Sequence, residues 1–188
     1  MKKVVFLDRD GTINIEKSYL HKWEDFEFEK NAIEGLKELK DLGYEFIVVT
    51  NQSGIGRGYY TEEDLETLND RMVTELKKFG IEILECFYCP HHPEKGEGKY
   101  KIECDCRKPN PGMLLEGIKK YNVDVNNSFM IGDKKGDLKA GEKASLKSIL
   151  VLTGYGEKTA ANLKEEYPIA KDLLEVAEII KQIKKTGC

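Results

Sequence analysis

The sequence lacks a long apolar segment and an excess of basic residues. No run approaches the roughly 20 apolar residues that a membrane-spanning helix needs, and the N-terminus, MKKVVFLDRDG, turns acidic before a signal-peptide cleavage site could follow. The formal net charge of -4 argues against nucleic acid or an anionic membrane surface as a partner. These absences predict a cytoplasmic protein with no nucleic-acid or membrane partner, and nothing in the sequence demands more than a monomer.

Cysteine is also scarce, with five in 188 residues, and in a reducing cytoplasm we do not expect a disulfide framework. Three of the five lie in one loop with two of the three histidines: Cys89, His91, His92, Cys104 and Cys106. The pairs C-x-H and C-x-C offer four soft ligands, which suits tetrahedral Zn²⁺. Spacing alone leaves His92 open as an alternative to His91. Of the other cysteines, Cys86 is expected in a buried strand and Cys188 at the frayed end of the chain.

Short apolar runs alternate with helical patterns along the chain. The apolar runs predict buried strands at 4–7, 46–49, 83–88, 129–131 and 149–152. Amphipathic patterns predict helices at 32–42, 62–79, 112–121, 136–144 and 173–183. Thr61 is a good N-cap and Gly43 a C-terminal stop. The alternation predicts an α/β fold with a parallel sheet covered on both faces, and 188 residues suit a single domain.

Polar residues follow several of the predicted strands, where open α/β sheets bind their ligands. These residues are Asp8, Asp10, Thr50, Asp133 and Asp137. Any one of the acids alone could simply make a turn. Three carboxylates at one edge of a sheet repel each other unless a cation lies among them, and such hard oxygen ligands suit Mg²⁺. With Lys108 added, the set indicates phosphoryl transfer. A P-loop is excluded because no G-x-x-x-x-G-K-[ST] occurs.

Four motifs carry a family resemblance. DRDGT, VVTNQ, CRKPNPG and GDKKGD resemble, in order and spacing, those of the haloacid dehalogenase-like (HAD) phosphatases. More narrowly, FLDRDGTIN, TNQSGIGRG, CPHH and CDCRKP resemble the D-glycero-D-manno-heptose 1,7-bisphosphate 7-phosphatases, with the histidinol-phosphate phosphatases close behind. The resemblance covers nearly the whole chain. It implies a Rossmann-like doubly wound sheet of the HAD type over residues 1–188, without a cap and with a zinc-binding loop, 89–106, inserted after the third strand.

The resemblance also implies roles for the strand-end residues. Asp8 would be the nucleophile that forms an aspartyl phosphate, and Asp10 the acid/base. Mg²⁺ would be held by Asp8, the backbone carbonyl of Asp10 and Asp133. Asp137 would be a partner of Lys108 or of metal-bound waters. The residues implied to bind phosphate or substrate are Thr50, Asn51, Arg107, Lys108 and Lys134.

For the cysteine loop the resemblance selects His91. The zinc ligands would be Cys89, His91, Cys104 and Cys106, and four protein ligands leave no open position, so the zinc is expected to be structural. Three points stay open: the sugar anomer, the role of Arg57, and whether the substrate is the heptose bisphosphate or histidinol phosphate. A hypothesis from another class is an inert scaffold whose zinc loop recruits nucleic acid or protein, and its support is the short basic stretch RKP.

Overall fold

The computed structural model describes residues 1–186, so the expectation for Cys188 lies outside the described residues. Its strands are β1 (Val4–Leu7), β2 (Glu45–Asn51), β3 (Ile83–Cys89), β4 (Phe129–Gly132), β5 (Lys147–Val151) and β6 (Ile169–Ala170). Its α-helices are α1 (Ala32–Asp41), α2 (Ser53–Gly56), α3 (Glu62–Lys78), α4 (Gly112–Tyr121), α5 (Lys135–Lys143), α6 (Gly156–Asn162) and α7 (Leu173–Thr186). No helix within 1–186 is long and apolar enough to cross a membrane.

The strands form one sheet in the order β3-β2-β1-β4-β5-β6, and every pair is parallel. The chain runs outward from β1 to β3 on one side, then returns to place β4 against the other side of β1. Leu7, the last residue of β1, is paired with Val48 of β2 and Ile131 of β4. This reversal of strand order opens a crevice at the carboxyl end of β1, and Asp8 is the next residue.

Helices cover both faces of the sheet, as the alternating pattern predicts. Successive residues of β1 point to opposite faces, so Val5 and Leu7 join one buried cluster and Val4 and Phe6 another. Residues of α1, α3 and α7 complete the first cluster, and residues of α4 and α5 complete the second. The predicted doubly wound α/β fold is therefore confirmed.

The predicted elements are confirmed, with shifts of at most three residues at their ends. Thr61 caps α3, and its hydroxyl accepts the Asp64 N–H at 3.1 Å. Gly43 follows α1 with φ +84°. The pattern missed α2, α6 and β6, which contain four, seven and two residues. Segments this short do not complete enough turns or alternations for a periodic signal.

Candidate active site

The crevice at the carboxyl end of β1 contains a buried group of three acids and one lysine. Asp8 follows β1, Asp133 follows β4, Asp137 lies in the first turn of α5, and Lys108 comes from the loop before α4. Each is 5% exposed or less. Oxygens of the three acids all lie within 4.8 Å of one another. The sheet thus brings together residues from distant parts of the chain.

Lys108 lies between two of these acids. Its Nζ is 2.9 Å from Asp8 Oδ1 and 2.6 Å from Asp137 Oδ1, and it also donates to the Val49 carbonyl at 2.7 Å. Burial acts to lower the pKa of Lys108, but Asp137 and Asp8 outweigh burial and raise it. The ammonium therefore remains charged and holds one oxygen of Asp8, which leaves the second oxygen able to face a ligand.

Asn51 fixes the main chain of Lys108. Its side-chain oxygen accepts the Lys108 N–H at 3.0 Å, and its amide nitrogen donates to the Lys108 carbonyl at 3.0 Å. The sequence predicts phosphate binding by Asn51. In the structure Asn51 also borders the pocket described below, but its carboxamide is committed to positioning Lys108.

Asp133 has a buried oxygen, Oδ1, that accepts no hydrogen bond, and Lys134 Nζ lies 4.0 Å from it. Its Oδ2 accepts the Tyr155 N–H at 2.8 Å, whereas Oδ1 has no hydrogen-bond partner. Burial, followed by the charges of Asp8 and Asp137, raises the pKa of Asp133 to about 8. A Cβ on Gly11 or Gly154 would lie 2.3 or 2.4 Å from Asp133 Oδ2, so only glycine allows this approach. A buried, electron-rich oxygen among other acids fits a hard divalent cation.

Asp137 has both oxygens occupied. Oδ1 is paired with Lys108, and Oδ2 accepts the Lys134 N–H at 2.9 Å, at the start of α5. The contact with Lys108 agrees with the predicted partnership. Because both oxygens already have partners, neither is left free to bind a metal in this arrangement.

Asp10 is not a member of the acid group. Its carboxylate accepts hydrogen bonds from Arg9 (3.0 and 3.1 Å), Asn14 (3.0 Å) and Gln52 (2.8 Å). Burial acts to raise the pKa of Asp10, but these donors, led by the charge of Arg9, outweigh it and lower the pKa. Gln52 Nε2 also donates to the Thr50 hydroxyl oxygen at 2.8 Å. Because the Thr50 oxygen accepts this hydrogen bond, the hydroxyl hydrogen remains available to donate a hydrogen bond to a ligand.

A polar pocket of about 340 Å³ opens beside Asp10. Both cations that the sequence predicts at the substrate, Arg107 and Lys134, line it. Lys134 Nζ lies 3.3 Å from Glu16 Oε2, and Arg107 donates to the His91 carbonyl at 3.1 Å. The pocket therefore presents two positive side chains, beside the acids Asp10 and Glu16, with which an anionic group of a ligand can pair.

The predicted zinc ligands converge in the loop after β3. The sulfurs of Cys89, Cys104 and Cys106 lie 3.1 to 3.4 Å apart, and His91 Nδ1 lies 3.8 and 3.6 Å from Cys89 and Cys106. Typical zinc bond lengths imply ligand separations of roughly 3.5 to 3.8 Å. His92 is excluded from the group, because its Nδ1 accepts the N–H groups of the next turn at 3.2 and 3.1 Å. The two nitrogen–sulfur distances lie in this range and the sulfur–sulfur distances lie below it, so the three thiols and one imidazole form a compact group with the ligand types of tetrahedral zinc.

The basic stretch RKP does not form a surface patch. The side chain of Lys108 is 2% exposed and bound to two acids, and Arg107 is tied to the His91 carbonyl. These contacts remove the support for a zinc loop that recruits nucleic acid.

The sequence reasoning missed several residues of the site: Arg9, Asn14, Glu16, Gln52, Tyr60 and Tyr155. Gln52 and Tyr155 had a usable signal, because each follows a predicted strand. Arg9 had none, since arginine is almost always exposed and its burial depends on the tertiary fold.

Comparisons with known proteins bear on this geometry. A HAD-hydrolase-like family model matches residues 105–176. The chain is 45% identical over 185 residues to a D-glycero-beta-D-manno-heptose-1,7-bisphosphate 7-phosphatase of Pasteurella multocida, covering 98% of this chain and 100% of that protein. It is 49% identical over 154 residues to a D-glycero-alpha-D-manno-heptose-1,7-bisphosphate 7-phosphatase of Photorhabdus laumondii, covering 81% and 84%. A crystal structure of the D,D-heptose bisphosphate phosphatase of B. bronchiseptica, complexed with magnesium and phosphate, has a TM-score of 0.84 and 32% identity, covering 96% and 98%.

Proposed function

The chain belongs to the heptose-1,7-bisphosphate 7-phosphatase family of the HAD-like hydrolases, and on this premise we propose that it removes the 7-phosphate of D-glycero-D-manno-heptose 1,7-bisphosphate. It is a phosphoric monoester hydrolase. The observation that carries the proposal is the buried Lys108 between Asp8 and Asp137, next to Asp133 and to a pocket with two cationic side chains.

The ligands we propose for Mg²⁺ are Asp8, the backbone carbonyl of Asp10 and Asp133. The buried Asp133 Oδ1, which accepts no hydrogen bond, supports this choice, as does the all-oxygen donor set. When bound, the ion would neutralise charge on the transferring phosphoryl group. The zinc that we propose at Cys89, His91, Cys104 and Cys106 would order the loop that ends at Arg107 and Lys108.

In the first step, an Asp8 carboxylate oxygen attacks phosphorus while the bond from phosphorus to the sugar oxygen breaks. Asp10, in its protonated form, donates its proton to the leaving oxygen, and Asp8 becomes an aspartyl phosphate. Lys108 and the Thr50 hydroxyl stabilise charge on the phosphoryl oxygens.

In the second step, Asp10 is a carboxylate and takes a proton from water. The water oxygen attacks phosphorus, and the bond to Asp8 breaks, which returns the Asp8 carboxylate and releases inorganic phosphate. The hydrogen bonds that lower the pKa of Asp10 suit this base. The approach of an anionic phosphate has the opposite effect and favours the protonated form in the first step.

The second phosphate of the substrate accounts for the cations of the pocket. Arg107 and Lys134 can pair with an anion at the far end of the ligand. Histidinol phosphate has no second anion for these two cations, and the two acids of the pocket, Asp10 and Glu16, are already paired with Arg9 and Lys134. The pocket chemistry therefore favours the bisphosphate.

The test compares phosphate release from both anomers of the bisphosphate and from histidinol phosphate, with ³¹P NMR to identify the phosphate that remains. We expect heptose 1-phosphate as the product and no release by Asp8→Asn, whose zinc content and circular dichroism should match the wild type. Wild-type release by Asp8→Asn would refute the mechanism. A preference for histidinol phosphate would refute only the substrate assignment.

A further inference from the structure

Arg9, between the two aspartates of the first motif, has the largest fully buried side chain in residues 1–186 and is 0% exposed. A buried ion pair is weak as a stabilising device, since apolar residues of similar volume often stabilise as well or better. Its Nε also lacks a hydrogen-bond partner, which adds a cost. These costs indicate a role for Arg9 other than stability.

The contacts of Arg9 hold its guanidinium in one place. Nη2 donates to both oxygens of Asp10, at 3.0 and 3.1 Å, and to the Leu20 carbonyl at 3.2 Å. Nη1 donates to the side-chain oxygen of Asn69 at 3.1 Å. Asn69 is a buried residue of α3. The guanidinium is therefore fixed to a helix and to the loop after β1, so it can orient Asp10 without moving itself.

Two further donors complete the surroundings of the Asp10 carboxylate. Asn14 donates to Oδ1 and Gln52 to Oδ2, at 3.0 and 2.8 Å. The Tyr60 hydroxyl in turn donates to the side-chain oxygen of Gln52. Arg9, Asn14 and Gln52 together fix the plane of the Asp10 carboxylate, which borders the pocket.

We propose that Arg9 is a positioning residue of the reaction, which holds the Asp10 carboxylate where it exchanges a proton with the leaving sugar oxygen and then with water. This inference rests on the proposed function. Arg9 does not touch the substrate, so its effect should be confined to steps in which Asp10 transfers a proton.

A pair of substrates separates those steps from binding and from nucleophilic attack. The ratio kcat/KM reports the reaction up to loss of the leaving group. A sugar alkoxide needs a proton to leave, whereas p-nitrophenolate leaves without one. We expect Arg9→Lys to lower kcat/KM for the heptose bisphosphate by about 10- to 100-fold, within the range of general acid catalysis. The value for p-nitrophenyl phosphate should change little. Arg9→Met should have a larger effect in the same direction.

A second variant covers the case in which Arg9 variants fold poorly. Asn69→Ala removes the anchor of the guanidinium but keeps the pair with Asp10, and it should lower the same ratio of the two kcat/KM values less strongly. Arg71→Met is the matched control, because Arg71 is an exposed residue of the same helix. Equal loss for both substrates would mean a general structural role and would overturn the inference. Wild-type values in folded Arg9→Lys and Asn69→Ala would overturn it too.

Failure of the proposed function gives a different result. Asp8→Asn should abolish turnover of both substrates, whether or not the Arg9 variants change the ratio of the two kcat/KM values. If it does not, the mechanism itself is wrong, irrespective of the ratio measured for Arg9 variants.

Discussion

Two groups of potential metal ligands are linked by Lys108, which follows Cys106 by two residues and pairs with Asp8, and the two groups are held in opposite ways. The acids Asp8 and Asp133 directly follow the central strands β1 and β4, and the Asp8 N–H donates to the Ile131 carbonyl at 2.9 Å. The thiols Cys104 and Cys106 lie in a long connection, 90–111, whose only helical element is the 3₁₀ turn Gly98–Tyr100. The core fixes the acids before any ion binds.

The cysteine loop depends far more on its ligands. Its other contacts with the domain include the Tyr100 hydroxyl to Glu62, at 2.6 Å, and the Glu97 N–H to the Gly56 carbonyl, at 2.7 Å. A structural zinc can contribute an apparent free energy of about 10 to 16 kcal/mol, much more than these two hydrogen bonds. Removing the proposed Mg²⁺ from the acids should therefore affect chemistry, and removing the proposed zinc from the thiols should affect the order of the loop first and chemistry second.

Of the variants that test this comparison, Asp133→Asn should have the largest effect and lower phosphate release by about 10³-fold or more. Burial and neighbouring acids raise the pKa of Asp133 to about 8 in the folded, metal-free protein. At neutral pH the carboxyl is therefore ionised in the unfolded chain but protonated in the folded protein, and this difference lowers the free energy of unfolding. The neutral amide removes that cost, so the Tm without Mg²⁺ should not fall, and zinc content should be unchanged. Thermal unfolding with and without Mg²⁺ measures this. A lower metal-free Tm would contradict the view that the fold holds these acids.

Removal of zinc should have the next largest effect. Lys95, Lys99 and Lys101 are already exposed, so Cys104→Ser, or a chelator, should make the ordered backbone around them flexible enough for trypsin to cleave. It should also lower kcat by about 100-fold through displacement of Lys108. Cys86→Ala is the matched control, because Cys86 is a partly buried strand residue outside the thiol group. Proteolysis mapped by mass spectrometry gives the result. A loop that stays protease-resistant after complete zinc loss would contradict the view that the cysteine loop, unlike the acids, depends on its metal for order.

A smaller effect is expected at the contact between the two regions. Asn51→Ala removes both hydrogen bonds to the Lys108 main chain, and their loss should lower kcat by about 10-fold. Zinc content and trypsin resistance should stay at wild-type levels. Steady-state kinetics decide the role of Asn51, since a pure phosphate contact would raise KM and leave kcat unchanged.

The two regions also differ in how far the sequence predicts them. The acids follow strands that periodicity identifies, so the sheet topology brings Asp8 and Asp133 together as expected. Spacing did not separate His91 from His92; the difference lies in a turn whose N–H groups occupy His92. The contact of Asn51 with Lys108 joins residues 57 apart, and the burial of Arg9 depends on Asn69. Such contacts depend on tertiary packing and have no local pattern.

The spacing of the thiol pairs has a consequence for how this protein could be altered. Residues 101–103, just before Cys104, are exposed. For a flexible loop, doubling the length costs only about 0.6 kcal/mol of closure entropy. Additional residues placed there would lengthen the span between the ligand pairs without touching a strand. This position is therefore where we would graft a peptide or a fluorescent label to obtain a reporter on the cysteine loop.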